Sequence, residues 1–312
     1  MTHLAFYREH SISPVNYSGT KEQHFQRRAS LYRSLRLPPL AFRGSRVLEV
    51  AAGTGQNAEY LASLNPLHLE LVEPYPAKWS SQSAVKITTL EHYQPPFPFD
   101  IVICENWLGL EEQPLIDKLA SMVAPQGVLV LTCVHPEGFY PNQLRRKIAQ
   151  RLINESMSFE SKTEILVNAF EPHLKTLTDM TRSPRDWVQD QLLNPAVENI
   201  VLTFPMLIER LGKDFTILGT SPEFITDWRW YKRLHGENKL FNERAMLYYH
   251  LGAEQFKNCM SNRPVTTADG IAEAEALLCK KSINVEDVRS MRSFSRLFGR
   301  ETIFTSWTRD AR

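Results

Sequence analysis

Residues 47–55 read Val-Leu-Glu-Val-Ala-Ala-Gly-Thr-Gly, an apolar run that carries one carboxylate and closes on a double-glycine turn. The run predicts a buried strand, and the turn opens a helix beginning near Gln56, the layout of a nucleotide-type site. Glycine tolerates positive φ and has no Cβ, so Gly53 and Gly55 let the backbone touch a ligand. Few folds put a buried acid four residues ahead of such a turn, so the segment constrains both architecture and ligand.

Gly53, Gly55 and Ala58 also satisfy the dinucleotide pattern, in which alanine replaces the third glycine. The turn alone therefore does not separate NAD from other adenosine ligands. Glu49 does: a carboxylate beside the turn repels a pyrophosphate but attracts a ligand that carries an ammonium and a sulfonium and no phosphate. S-adenosylmethionine has that charge pattern. A second acid, Glu73, closes the next apolar run, His68 to Val72, at about the twenty-residue offset where a carboxylate bridges ribose hydroxyls. The structural alternative is that Glu49 and Glu73 merely end two buried strands.

Val47 to Gly55, Leu71 to Pro74 and Phe99 to Trp107 together resemble motifs of the class I S-adenosylmethionine-dependent methyltransferases. The family's first motif is acid-x-Gly-x-Gly-x-Gly, and here Ala51 stands at the first glycine. The match spans about Arg46 to Thr132, under a third of the chain. The resemblance implies a cofactor site of Glu49, Ala51, Gly53, Thr54, Gly55 and Asn57 at the methionine part and Glu73 and Pro74 at the ribose. It places the stretch around Leu90 to His92, with Glu91, at the adenine, and Glu105 and Asn106 near the transferring methyl. The segments Tyr7 to Tyr32 and Asp227 to Lys232 resemble bacterial small-molecule methyltransferases, some associated with surface polysaccharide pathways.

The apolar runs Arg46 to Val50, His68 to Val72, Val85 to Thr88, Asp100 to Cys104 and Val128 to Cys133 alternate with helical or loop-like stretches, as in a parallel sheet covered on both faces. Right-handed crossovers make a doubly wound sheet the economical topology. The expected fold is α/β, a mostly parallel seven-stranded Rossmann-like sheet with helices on both faces and a helical insertion. Later strands are expected at Phe215 to Leu218 and Phe224 to Trp228, after a helix from Pro205 to Leu211. The domain reading is 1–40 as an N-terminal helical cap, 41–134 as the cofactor-binding core, 135–202 as a helical insertion, 203–250 as the rest of the sheet, and 251–312 as a C-terminal helical extension. The insertion far exceeds an ordinary connection and leaves the carboxyl end of a strand, which suits a lid or substrate wall. A dimerisation arm is its alternative, and with it a homodimer.

Methyl transfer is an in-line displacement whose electrophile already carries its charge, so alignment and water exclusion are the protein's main tasks. His135, after the fifth strand, has the chemistry of a general base, although a histidine before Pro136 also suits a hydrogen-bonded turn. Glu105 and Asn106 are the other catalytic candidates. Tyr7, His10, Tyr17, Trp107, His135, Trp228 and Arg229 are the candidate acceptor contacts, aromatic and charged groups that stack on a ring and grip an anion.

With 43% hydrophobic and 23% charged residues the chain has the composition of a globular protein, not a disordered one. A formal charge of +1 gives no field favouring phosphate backbones, so nucleic acid is not an expected partner. No apolar run approaches a membrane span, and the first thirty residues lack a signal core, so a cytoplasmic location and no membrane contact are expected. The nine histidines and four cysteines show no zinc-binding interval, so no metal is expected. Three function classes stand: a methyltransferase acting on a small polar metabolite or saccharide, an NAD-dependent oxidoreductase, and a non-catalytic methyltransferase-fold partner protein.

Overall fold

The computed structural model describes residues 3–10, 19–74, 84–106, 114–176, 182–198, 202–225, 230–233, 238–258, 267–292 and 301–311. The chain divides into two compact units. One holds residues 19–134, 201–252 and 302–312; the other holds 1–18, 135–200 and 253–301.

The first unit is a seven-stranded sheet. In chain order its strands are β1 (Arg46–Val50), β2 (His68–Val72), β3 (Ala84–Lys86), β4 (Phe99–Cys104), β5 (Val123–Val134), β6 (Phe215–Ser221) and β7 (Thr302–Arg309). Their order across the sheet is β3-β2-β1-β4-β5-β7-β6. The first five pair in parallel, while β7 runs antiparallel to both β5 and β6. Consecutive residues Val47 and Leu48 are both fully buried, as they must be in a strand covered on both faces. One face, through Val47, Leu71, Ile103 and Val130, packs under Tyr32 and Leu35 at the end of the Lys21–Ser34 helix and Ala58 and Leu61 of the Gln56–Ser63 helix. On that face Ser306 Oγ donates to Leu35 O at 2.6 Å. The opposite face carries Trp307, which meets Phe204 of the Phe204–Leu211 helix at 6.1 Å between rings.

The fold is the expected α/β, mostly parallel seven-stranded sheet with helices on both faces. Its seventh strand is a correction. Residues 302–309, expected to be helical extension, form β7 because Thr-Ile-Phe-Thr-Ser-Trp-Thr-Arg alternates side chains between the two covered faces. Strand β5 starts at Val123 instead of Val128, with a register irregularity against β4 that accommodates Gly127, where a Cβ would lie 2.9 Å from Asp100 O. No strand forms at Phe224 and Ile225, and the rest of that expected strand, 226–228, lies outside the described residues.

The second unit is helical, and three separate stretches build it. Helices Pro136–Leu152 and Phe159–Leu174 supply Leu144, Ile148, Leu166 and Phe170; a short helix with a π-turn over Gln189–Leu193 adds Trp187, Val188 and Leu192; the late helices add Ala274, Leu277 and Val288. The expected cap of 1–40 and extension of 251–312 are therefore each divided: residues 1–18 and 253–301 join the helical unit, while 19–40 and 302–312 belong to the sheet. Within the helical unit Asp190 accepts from Tyr7, Arg182 and Gln191, so one buried carboxylate ties the His3–His10 helix to the π-turn.

Candidate functional site

Every crossover in the parallel part of the sheet brings a strand's carboxyl end to the same edge, and that edge is where the acids gather. Glu49 is the fourth residue of β1 and shares the face of Val47, so it points toward the Lys21–Ser34 and Gln56–Ser63 helices. Glu73 follows β2, and Glu105 and Asn106 follow β4. Between β1 and the Gln56–Ser63 helix the backbone turns through Ala51 (φ +59°), Gly53 (φ +55°) and Gly55 (φ +77°), all in the left-handed region. Gly55 is the helix N-cap and brings no side-chain acceptor to the first amides. Ala51, standing where the family has glycine, thus holds a strained conformation, and its N–H extends the sheet by donating to Val72 O at 2.9 Å.

Around this turn the side chains form a continuous hydrogen-bonded chain. Asn57 Nδ2 donates to Glu49 Oε1 at 2.6 Å and reaches Tyr32 Oη at 3.1 Å. Tyr32 Oη lies 3.1 Å from Glu105 Oε1, and Arg28 Nη2 donates to Tyr32 Oη at 2.8 Å and to Glu105 Oε1 at 2.6 Å. Glu73 Oε2 accepts the Gly53 N–H at 2.9 Å, fixing the glycine turn to the end of β2. Asn106, at φ +58°, is itself in the left-handed region, which asparagine tolerates, and its N–H donates to Thr132 Oγ1 of β5 at 2.6 Å.

Two buried atoms in this chain have no hydrogen-bond partner: Glu49 Oε2 and Arg28 Nε. Burial, with Glu105 and Glu73 adding repulsion, pushes the Glu49 carboxyl up to about 8 although Asn57 and Arg28 pull the other way. Arg28 is the reverse case. Burial works against its charge, but Glu105 beside it holds the guanidinium charged well above the ordinary range.

Of the residues expected at the cofactor, Ala51, Gly53, Thr54 and Gly55 lie on the turn, Glu49 on β1 before it, Asn57 on the helix after it and Glu73 just past β2, with Pro74 directly after Glu73. Glu105 and Asn106 join them after β4. Glu91 stands exposed in the turn after Leu90, its carbonyl taking Lys118 Nζ at 2.6 Å. Tyr17, Trp107, Trp228 and Arg229 lie outside the described residues. Tyr7, His10 and His135 belong to the helical unit: Tyr7 is bonded to Asp190, and His10 stacks on Phe159 at 3.8 Å. His135 is the buried N-cap of the Pro136–Leu152 helix, its Nδ1 accepting the Gly138 N–H at 3.3 Å and its ring stacked on Phe256 at 4.0 Å.

Arg28 and Tyr32 were not among the expected site residues. Phe25, Ala29, Tyr32 and Leu35 fall at helical spacing, and the signal for Arg28 is its place inside that stripe, four residues before Tyr32. An arginine on an apolar face needs a buried anion, and Glu105 is that anion.

Strand order, the antiparallel seventh strand and the acid-glycine turn together give this chain the class I S-adenosylmethionine-dependent methyltransferase fold. No protein-family model matches the chain, and no curated protein does. Among solved structures, the N-methyltransferase NodS from Bradyrhizobium japonicum WM9 aligns with 93% of this chain and 99% of its own at 12% identity and a TM-score of 0.38. PKMT2 from Rickettsia typhi aligns with 95% of this chain and 54% of its own at 14% identity and a TM-score of 0.46. An S-adenosylmethionine dependent methyltransferase from Mesorhizobium loti aligns with 90% and 98% at 14% identity and a TM-score of 0.42. Among the described residues no helix is long and apolar enough to cross a membrane, and no cluster of histidine, cysteine and acids is placed to hold a metal.

Proposed function

We propose that the protein is an S-adenosylmethionine-dependent methyltransferase whose acceptor is a small polar metabolite or saccharide. The observation that carries this reading is Glu49 Oε2, a buried acceptor with no partner at the rim of a glycine turn. Leaving a buried carboxylate oxygen unsatisfied is costly, and a ligand ammonium removes the cost. Glu49 would take that ammonium, the turn at Gly53 and Gly55 would lie against the methionine chain, and Glu73 would meet the ribose. When bound, the cofactor would supply an electrophilic methyl group for transfer to the acceptor, whose proton would pass to solvent. Three acidic side chains, Glu49, Glu73 and Glu105, with Glu49 ionised as the ligand binds, favour a cationic ligand over a pyrophosphate.

Asn106, at the carboxyl end of β4, would orient the acceptor. Asn106 is well placed for this because its backbone is fixed by Thr132 while its side chain is exposed. Isothermal calorimetry with S-adenosylhomocysteine and with NADH tests the ligand. Binding of the former and not the latter is expected, and tight NADH binding without S-adenosylhomocysteine would sink the reading. Transfer of a labelled methyl group to members of a metabolite and saccharide panel then tests the acceptor class.

A further inference from the structure

Within the reading just given, on which this step rests, we propose that Arg28 recognises the carboxylate of the ligand's amino-acid end and that Glu105 is its positioning residue. Two buried atoms in one hydrogen-bonded chain lack partners, and they are of opposite kind: Glu49 Oε2 accepts and Arg28 Nε donates. Asn57 and Tyr32 link the two groups through contacts of 2.6, 3.1 and 2.8 Å. An orphan anionic acceptor and an orphan cationic donor in one cluster complement an α-amino acid zwitterion, whose ammonium and carboxylate share one carbon. The guanidinium fork suits a carboxylate because it offers several N–H groups in one plane. Arg28 commits Nη2 to Glu105 and Tyr32 and lies 4.8 Å from the Tyr32 ring, so its plane is held while Nε stays available. The orphan donor would otherwise leave a buried charged group under-satisfied.

Glu105 changes role in consequence. Its Oε1 takes both Arg28 at 2.6 Å and Tyr32 at 3.1 Å, and its side chain is 11% exposed. A carboxylate engaged in this way aims the guanidinium.

The experiment compares S-adenosylhomocysteine with its decarboxylated analogue, which keeps the ammonium and lacks the carboxylate. Wild type is expected to prefer the former by about ten- to hundred-fold, the worth of a hydrogen bond to a charged group. R28M should abolish that preference by weakening S-adenosylhomocysteine alone, leaving the analogue within about threefold of wild type. R28M/E105Q removes both charges together and avoids a lone buried carboxylate, so it serves if R28M does not fold. R28K should restore part of the preference. If R28M weakens both ligands equally, or neither, as when the amides at the start of the Gln56–Ser63 helix hold the carboxylate, the Arg28 assignment is overturned. Wild type that binds neither ligand overturns the methyltransferase reading itself. Wild type that binds both equally well overturns only the role of Arg28.

Discussion

Asn57 Nδ2 lies 2.6 Å from Glu49 Oε1, while among the described residues the buried Glu49 Oε2 has no hydrogen-bond partner. A single amide does not offset burial, so Glu49 holds its proton up to about pH 8. Ammonium binding requires the carboxylate, so binding releases that proton. Affinity for S-adenosylhomocysteine should rise about tenfold per pH unit from pH 6 toward pH 8 and level off above it. Calorimetry in buffers of different ionisation enthalpy should show close to one proton released near pH 6.5. E49Q should bind weakly with no such slope, and a pH-independent wild-type affinity would exclude Glu49 as the ammonium's partner.

The same group sets a stability slope in the free protein. Its folded value, about 8, exceeds the ordinary 4.5, so the folded state binds more protons between those limits. Stability from Glu49 is complete below pH 4.5 and declines as pH rises toward 8, by about 1.4 kcal/mol per unit. Glu301 in the helical unit, pushed up to about 7 by burial against the pull of Arg145, acts in the same sense over a narrower window. The difference between wild type and E49Q in urea unfolding isolates the Glu49 contribution: E49Q should be the more stable protein at pH 8 and lose its advantage by pH 5.

Ala51 sits at φ +59°, where an L side chain costs about 1–2 kcal/mol and glycine does not. Glycine's larger unfolded-state entropy returns part of that gain. A51G should therefore stabilise the protein by about 0.5–1 kcal/mol, with ligand affinity unchanged or improved, since the backbone is already in the conformation glycine favours. Destabilisation on thermal unfolding would mean that the Cβ of Ala51 contributes packing that outweighs the strain.

The turn was legible in the sequence because its signals are local: an apolar run, an acid, two glycines, then a helix within ten residues of Glu49. What escaped was non-local. Strand β7 lies between β5 and β6, pairing Leu131 with Thr305 at a separation of 174 residues, and no nearby signal announces that partner. Arg28 was hidden for a related reason. Its counter-charge, Glu105, lies 77 residues further along the chain, so on the helix Arg28 reads only as one polar residue in an apolar stripe. The helical unit is assembled from three stretches whose apolar faces each look like a separate amphipathic helix until they meet.

Asp190 tests that assembly. It is buried, accepts from Tyr7, Arg182 and Gln191, and is held below the ordinary carboxylate range: burial pushes it up, and Arg182 with Tyr7 more than reverses this. D190N would remove the carboxylate that accepts from the Arg182 guanidinium, a change that costs about 3–5 kcal/mol in buried pairs. Removing both charges in R182M/D190L should recover much of the loss, because an apolar pair avoids desolvation. If D190N costs less than about 1 kcal/mol, the pair is solvent-screened and does not hold the first helix.

His135 separates a structural role from a chemical one. Its Nδ1 accepts the Gly138 N–H at 3.3 Å and its ring is buried against Phe256, so it caps the Pro136–Leu152 helix much as asparagine would. Asparagine has no basic nitrogen, which makes H135N the informative variant. With a capping role, H135A should cost about 1 kcal/mol in stability and H135N little, while methyl transfer by H135N stays within about threefold of wild type. With a general-base role, H135N should lose about a hundredfold or more in kcat at unchanged stability, and the acid limb of the pH–rate profile should vanish with it. The cap geometry predicts the first outcome. A kcat collapse in a stable H135N would return His135 to the chemistry.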